Sequence, residues 1–176
     1  MITKIRIQRI ISILIVIIPA FTWGQNCLCI SGLKNKEKGI ETIGGVTNTI
    51  DFYSLLIHKI INYKDTADLP KYRFLYHAAT DFQLTDSMLN SNGTIELILA
   101  NDSKIIVDSV KYENSPLKAC CSIGFWFFLP EETIKTLSVY PIKSITANGI
   151  IRTSFFNSRK QREQQKIFNC LINRRK

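Results

Sequence analysis

The sequence predicts an α+β fold, an antiparallel sheet of about five to seven strands built from hairpins and covered by one or two helices. Three observations carry this expectation. Side chains alternate with a two-residue period at Tyr72–Ala78 and Ile95–Leu99, the spacing of half-buried strands. Short polar turn groups, Asn101-Asp102-Ser103 and Asn148-Gly149, separate apolar runs in the manner of hairpins. Near the C-terminus Ile167, Phe168, Leu171 and Ile172 recur at helical spacing.

The first element has no place in that domain. Lys4, Arg6 and Arg9 precede the apolar run Ile10–Ile18, and Thr22 and Gly24 supply the small residues that signal peptidase prefers, which makes Gln25 the first residue of the mature chain. Residues 1–24 are therefore expected to be an export signal. The apolar run is about half the roughly 20 residues a membrane-spanning helix needs. The alternative is an uncleaved signal that anchors the same domain to the inner membrane. Both readings place residues 25 onward outside the cytoplasm.

Residues 25–49, with Gly32, Gly39, Gly44, Gly45 and a charged cluster at 34–38, read as a flexible leader ahead of a single domain over 50–176. Residues 50–63 are ambiguous. Tyr53, Leu56, Ile57, Ile60 and Ile61 fit a helix, whereas Leu55, Ile57, Lys59, Ile61 and Tyr63 fit a strand. Tyr72, Phe74, Tyr76 and Ala78 then form the apolar face of a strand, and 81–92 reads as turns and loop. Ile95, Leu97 and Leu99 lead into the first hairpin. A three-residue loop there would set Leu99 opposite Ile105 and Leu97 opposite Val107.

The run Cys121, Ile123, Phe125, Phe127, Leu129 predicts a central strand, with Trp126 and Phe128 on its other face. Pro130 suits the first turn of a helix, Glu131 and Glu132 suit its positive end, Ile134 and Leu137 form its inward stripe, and Pro141 limits it. Asn148-Gly149 marks a second hairpin. Ser158, with Gln161 three residues later, has the form of a capping box for the last helix, on which Arg159, Arg162 and Lys166 share another face.

The formal charge of +9 is local in origin. Residues 152–176 hold Arg152, Arg159, Lys160, Arg162, Lys166, Arg174, Arg175 and Lys176 against Glu163 alone. A cationic helix of this kind reads first as a solvated face; the alternative is contact with an anionic surface or an envelope protein through Arg159, Arg162 and Lys166, and export argues against nucleic acid. The five cysteines, Cys27, Cys29, Cys120, Cys121 and Cys170, are disulfide candidates in an oxidising compartment. A bridge from Cys170 to Cys120 or Cys121 requires the last helix to cover the sheet. Buried free thiols are the other option. An odd number leaves one cysteine unpaired within a monomer.

The two histidines, His58 and His77, have neither the spacing nor the neighbours of a metal site, and no cofactor is called for. His77 falls on the less buried face of its strand, with Asp81 as a nearby acid in sequence. No nucleophile motif is present. Asn92-Gly93-Thr94 and Asn101-Asp102-Ser103 match glycosylation acceptors, but asparagine also serves turns at such positions.

Asn48-Thr49-Ile50-Asp51-Phe52-Tyr53-Ser54, the Asn101-Asp102 hairpin, Pro130-Glu131-Glu132 and the closing Cys170-Leu171-Ile172 together resemble a group of uncharacterised small secreted α+β proteins of some Gram-negative bacteria. The resemblance spans roughly residues 48–172. It implies the fold, tilts 50–63 toward β structure, and brings no activity with it. The functional expectation is an exported binding or interaction module of the bacterial envelope or exterior. The alternative is an extracytoplasmic hydrolase or thiol enzyme.

Overall fold

A computed structural model describes residues 31–35, 37–51, 53–64, 71–79, 85, 87, 92–114, 122–147 and 151–174. Nine strands and two helices follow in chain order: β1 (Ser31–Asn35), β2 (Ile40–Asn48), β3 (Ser54–Asn62), β4 (Lys71–Ala79), β5 (Asn92–Leu99), β6 (Lys104–Asn114), β7 (Ser122–Leu129), α1 (Glu131–Val139), β8 (Ile142–Ala147), β9 (Ile151–Phe155) and α2 (Ser158–Asn173). The strands form one sheet in the order β1-β2-β3-β4-β7-β6-β5-β8-β9, and every neighbouring pair is antiparallel.

The α+β class is as expected, but the sheet exceeds five to seven strands. The extra strands include β1 and β2, in the segment expected to be a leader. Gly39, at φ 66°, turns the chain between them. Ile43 is fully buried on one face of β2, while Thr42 and Val46 lie on the other. Four glycines and a lysine-rich turn obscured that alternation. The ambiguous 50–63 segment is β3, because Leu55, Ile57, Lys59 and Ile61 all point to the core with a strict two-residue period.

The β5–β6 register corrects the expected pairing. The turn closes over Ala100–Asp102, one residue earlier than Asn101-Asp102-Ser103. Leu99 N–H donates to Ser103 O at 2.9 Å, Asp102 N–H donates to Leu99 O at 3.0 Å, and Asp102 adopts φ 64°. Consequently Leu97 opposes Ile105 and Ile95 opposes Val107, and Leu99 is instead the neighbour of Ile142 in β8. The apolar pairing on one face survives because the slip is two residues, which preserves side-chain parity. The Asn148-Gly149 turn lies outside the described residues; the strands it was expected to join pair as β8 and β9.

One face of the sheet is concave and filled. Phe74 stacks on Phe127 at 5.2 Å and meets Phe168 of α2 at 6.1 Å, while Ile134 and Leu137 of α1 and Ile167, Phe168 and Leu171 of α2 complete the cluster. Because α2 contacts β2, β3 and β8, strands far apart in the sheet order, the sheet must curl around it. The curl brings Ile50, beyond β2, to Phe155 at the end of β9, where Ile50 N–H donates to Phe155 O at 2.8 Å.

Both helices start where their sequences dictate. Glu131 and Glu132 occupy the first turn of α1, and Pro130 is its N-cap rather than a first-turn residue. The cap of α2 is Asn157, one residue earlier than the Ser158 capping box implied. Its side chain accepts from Lys160 N–H at 3.0 Å, and Gln161 reaches back to donate to Phe156 O at 2.8 Å.

Two polar side chains lock α2 into the concavity. Gln164 is fully buried; its Oε1 accepts from Ile142 N–H at 2.8 Å and its Nε2 donates to Ile142 O at 3.3 Å, so it acts as a short extra strand partner for the start of β8. Lys59 of β3 is 5% exposed and donates to Leu171 O and Arg174 O, each at 2.8 Å, at the C-terminal end of α2. Carbonyls without helical partners and the negative end of the helix dipole both favour a cation there. Burial nevertheless pulls the Lys59 ammonium below its ordinary range, only partly opposed by Glu131.

Candidate functional site

The opposite, convex face carries neither described helix, and its side chains follow from strand parity. One cross-strand row runs Val46, Leu56, Leu75, Trp126; the next runs Gly44, His58, Arg73, Phe128. Trp126 and Phe128 meet edge to face at 5.8 Å, and Phe128 remains 45% exposed. This is the aromatic surface expected on the far side of the central strand. A third row sets His77 between Ser54 and Gly124, with Glu113 beyond. His77 thus occupies the less buried face, as its alternation implied, while Asp81 lies outside the described residues.

His58 and Arg73 form the polar centre of this face. They are directly opposed on β3 and β4. Gly44 makes room for the imidazole: a Cβ at Gly44 would sit 2.3 Å from His58 Cδ2 and 2.3 Å from Ile57 O. Burial, and secondarily the positive charge of Arg73, hold the His58 imidazole below its usual pKa and so favour its neutral form. His58 Nδ1 and Arg73 Nε are both shielded from solvent and have no hydrogen-bond partner among the described residues. Arg73 makes no ion pair among the described residues.

Beside this pair, the β1–β2 hairpin walls an open depression of about 760 Å³, lined by Leu33, Lys34, Glu37 and Ile40 together with His58 and Arg73. The Lys34 ammonium turns away from it, 5.0 Å over the Tyr63 ring on the side of Glu41 and Arg174. The rim is therefore apolar with the Glu37 carboxylate, and Arg73 makes the floor cationic.

The other sequence-derived candidates lie elsewhere. Arg159, Arg162 and Lys166 are exposed along α2, with Arg159 3.4 Å from Glu163, so this basic face stands apart from His58 and Arg73. Cys170 is 7% exposed on the inner side of α2. Cys27, Cys29, Cys120, Cys121 and the cleavage residues Gly24 and Gln25 fall outside the described residues. Among the described residues no group of three His, Cys, Asp or Glu side chains is placed to hold a metal ion, and no helix is long and apolar enough to cross a membrane.

Arg73 was missed as a candidate from sequence. Its alternation with Leu75 and His77 showed which face it occupies, but its position opposite His58 depends on the β3–β4 register, which no local signal encodes. No protein-family model, curated protein or solved structure matches the chain.

Proposed function

We propose that the protein is an exported binding or interaction module of the bacterial envelope or exterior, and that it binds through the convex face of its sheet. The observation that carries this reading is the contrast between the two faces. The concave face is closed by α1 and α2, whereas the convex face holds a row of apolar side chains, Val46, Leu56, Leu75 and Trp126, with Phe128 45% exposed beside it. Apolar surface left open on one side of a sheet whose other side is filled suits recognition better than folding.

Export is supported by the charge and hydropathy pattern of residues 1–24, and a disulfide at Cys170 would fit the same compartment. Its partner would be one of Cys27, Cys29, Cys120 and Cys121. The exposed Arg159, Arg162 and Lys166 offer a separate, weaker contact with anionic surfaces.

The test is expression of the full chain in an exporting bacterium, followed by thiol alkylation, intact mass with and without reduction, and crosslinking to the envelope. A mass beginning near Gln25, alkylation that increases on reduction, and crosslinks lost in a Val46→Glu/Leu75→Glu variant of unchanged circular dichroism are expected. A full-length mass with five alkylated thiols removes the export premise. Crosslinking unaffected by the two charges removes the convex-face reading.

A further inference from the structure

The charges on α2 are arranged against the helix rather than for it. Its first turn holds Arg159 and Lys160 and no acid, Arg162 follows, and its last turn holds no basic residue. The helix dipole favours the reverse order, with acids at the start and cations at the end. Glu163 is taken by Lys160 at 2.8 Å and by Arg159 at 3.4 Å. Arg162 and Lys166, one turn apart on the exposed side, have no acidic partner among the described residues and repel each other. None of this helps the fold, and an anionic surface laid along the outer side of α2 would offset all of it.

A second feature lies beside that row. Gln165, one turn beyond Arg162, donates to Val139 O at 3.0 Å, which fixes the C-terminal end of α1 against the same side of α2. Val139 is 59% exposed and Tyr140 43% exposed. The acids of the flanking elements are engaged: Glu131 and Glu132 both meet Lys135 near the start of α1, and Asp102 meets Lys143. Exposed cations beside an exposed valine and tyrosine do not suit a soluble polyanion, which would leave the apolar groups in water. They suit the interface of a bilayer, where phosphate groups meet the cations and a tyrosine with its apolar neighbour enters the headgroup layer.

We infer that the outer side of α2, with Val139 and Tyr140, docks the exported protein on an anionic lipid leaflet of the envelope. The inference rests on export but not on the convex-face reading, and it names the surface that the basic face of α2 meets. Because α2 packs on the concave side of the sheet, docking there leaves the convex face turned away from the bilayer and open to a partner. The contact is peripheral. Ile167, Phe168 and Leu171 are buried in the core, so attraction of charge supplies most of the binding and Val139 with Tyr140 the remainder.

Sedimentation with vesicles tests this, using protein purified after export and vesicles of phosphatidylcholine alone or with about one third phosphatidylglycerol. The protein is expected to sediment with the anionic vesicles only. It should be released as salt is raised from about 0.1 M to about 1 M, where the Debye length falls from about 10 Å to about 3 Å. Arg162→Gln/Lys166→Gln should weaken the binding about 25-fold, about fivefold for each cation near a charged surface. The same variant should be no less stable in urea, because the repulsion it removes is unfavourable to α2, so weaker binding would not reflect unfolding.

Val139→Ser/Tyr140→Ser should weaken vesicle binding severalfold, whereas soluble polyphosphate, which meets the cations alone, should be bound equally by this variant and by wild type. Trp126, the only tryptophan beyond Trp23 of the expected signal, reports the orientation: it lies on the convex face, so its emission should not shift on vesicle binding. Equal binding to neutral vesicles, binding unaffected by Arg162→Gln/Lys166→Gln, an equal loss of polyphosphate and vesicle binding in Val139→Ser/Tyr140→Ser, or a shifted Trp126 emission would each overturn the assignment. If vesicles are not bound while the Val46→Glu/Leu75→Glu variant still loses its envelope crosslinks, the lipid assignment falls and the convex-face reading stands. If vesicles are bound as expected and those crosslinks are unchanged, the reverse holds.

Discussion

Gln164→Leu isolates a single structural device, the side chain by which α2 completes the backbone bonding of β8. Leucine is close to glutamine in volume, so the packing of Ile167, Phe168 and Leu171 stays largely as it is and the substitution removes mainly the amide. What remains is the Ile142 N–H and C=O, in a residue with no exposed surface, without their only side-chain partner. A buried polar group stripped of its bond costs about 1–3 kcal/mol. The N–H bond, at 2.8 Å, belongs in the middle of that range, and the 3.3 Å bond to the carbonyl at its lower end. Part of the loss is recovered because Leu is easier to bury than an amide. The net expectation is a destabilisation of about 1–3 kcal/mol, or several degrees in melting temperature for a chain of this size. Urea unfolding followed by circular dichroism measures it: the midpoint should fall while the slope stays constant. Gln164→Glu should be more damaging at neutral pH, because it sets a carboxylate against the Ile142 carbonyl, and should recover toward wild type as acid protonates it. A Leu variant within about 0.5 kcal/mol of wild type would mean that Ile142 finds other partners and that Gln164 does not tie α2 to the sheet.

Lys59→Met should cost about 1–3 kcal/mol, less than two charged hydrogen bonds would suggest, because it also removes a poorly solvated cation; faster hydrogen exchange at the Arg174 amide should show the end of α2 fraying. Asn157→Ala removes the N-cap bond to Lys160 and should cost about 1 kcal/mol by urea unfolding, whereas Ser158→Ala should cost less. Gly44→Ala drives a Cβ into Ile57 O, a backbone atom that cannot retreat, so a loss of about 1–3 kcal/mol should accompany a displaced His58 signal. In alkali, burial raises the Tyr72 phenol from 10 to about 12. A raised folded pKa contributes stability in full below pH 10, and this is lost as the pH climbs toward 12. The lowered Lys59 pKa acts with the opposite sign, since its penalty fades as pH rises toward 10.5. Tyr72→Phe should therefore move alkaline unfolding, followed by phenolate absorbance, to higher pH, and a midpoint unmoved by it would exclude Tyr72 as the cause.

The concave face was legible because it obeys simple periods. Tyr72, Phe74 and Tyr76, or Ile123, Phe125 and Phe127, could not sit on a strand without making one apolar face, and Ile134 with Leu137 could not form a helix without an inward stripe. The same logic failed at β1 and β2, where Gly44 and Gly45 interrupt the alternation and the reason for Gly44 is a neighbouring imidazole. At β5–β6 it recovered the face but not the pairing, because the turn starts one residue earlier, at Ala100, which slips the register by two residues while parity hides the change. The Asn157 cap was displaced by one residue for a similar reason: Asn and Ser both cap, and adjacent candidates compete. The Arg73–His58 site was out of reach altogether, since it joins residues whose proximity is fixed by β3–β4 pairing and by the course of the β1–β2 hairpin.

The two cations facing opposite sides of this sheet show why charge alone does not mark a site. Lys59 and Arg73 are each on interior strands and each partly or fully withdrawn from water. Lys59 is fully engaged: two carbonyls at 2.8 Å and a tyrosine ring 5.7 Å away account for its direction and its burial, so its role ends with holding the last turn of α2. Arg73 has the same need for acceptors and none among the described residues. An acceptor absent from the fold must come from water or from a ligand. A shielded Nε is closed to water and to any larger ligand alike, so it gains an acceptor only if the side chain or its neighbours move. The distinction yields a comparison between the two cations: neutralising Lys59 should change stability and leave envelope crosslinking unchanged at temperatures where the fold persists, and neutralising Arg73 should do the reverse. Loss of stability in both variants without a difference in crosslinking would show that Arg73, like Lys59, belongs to the scaffold.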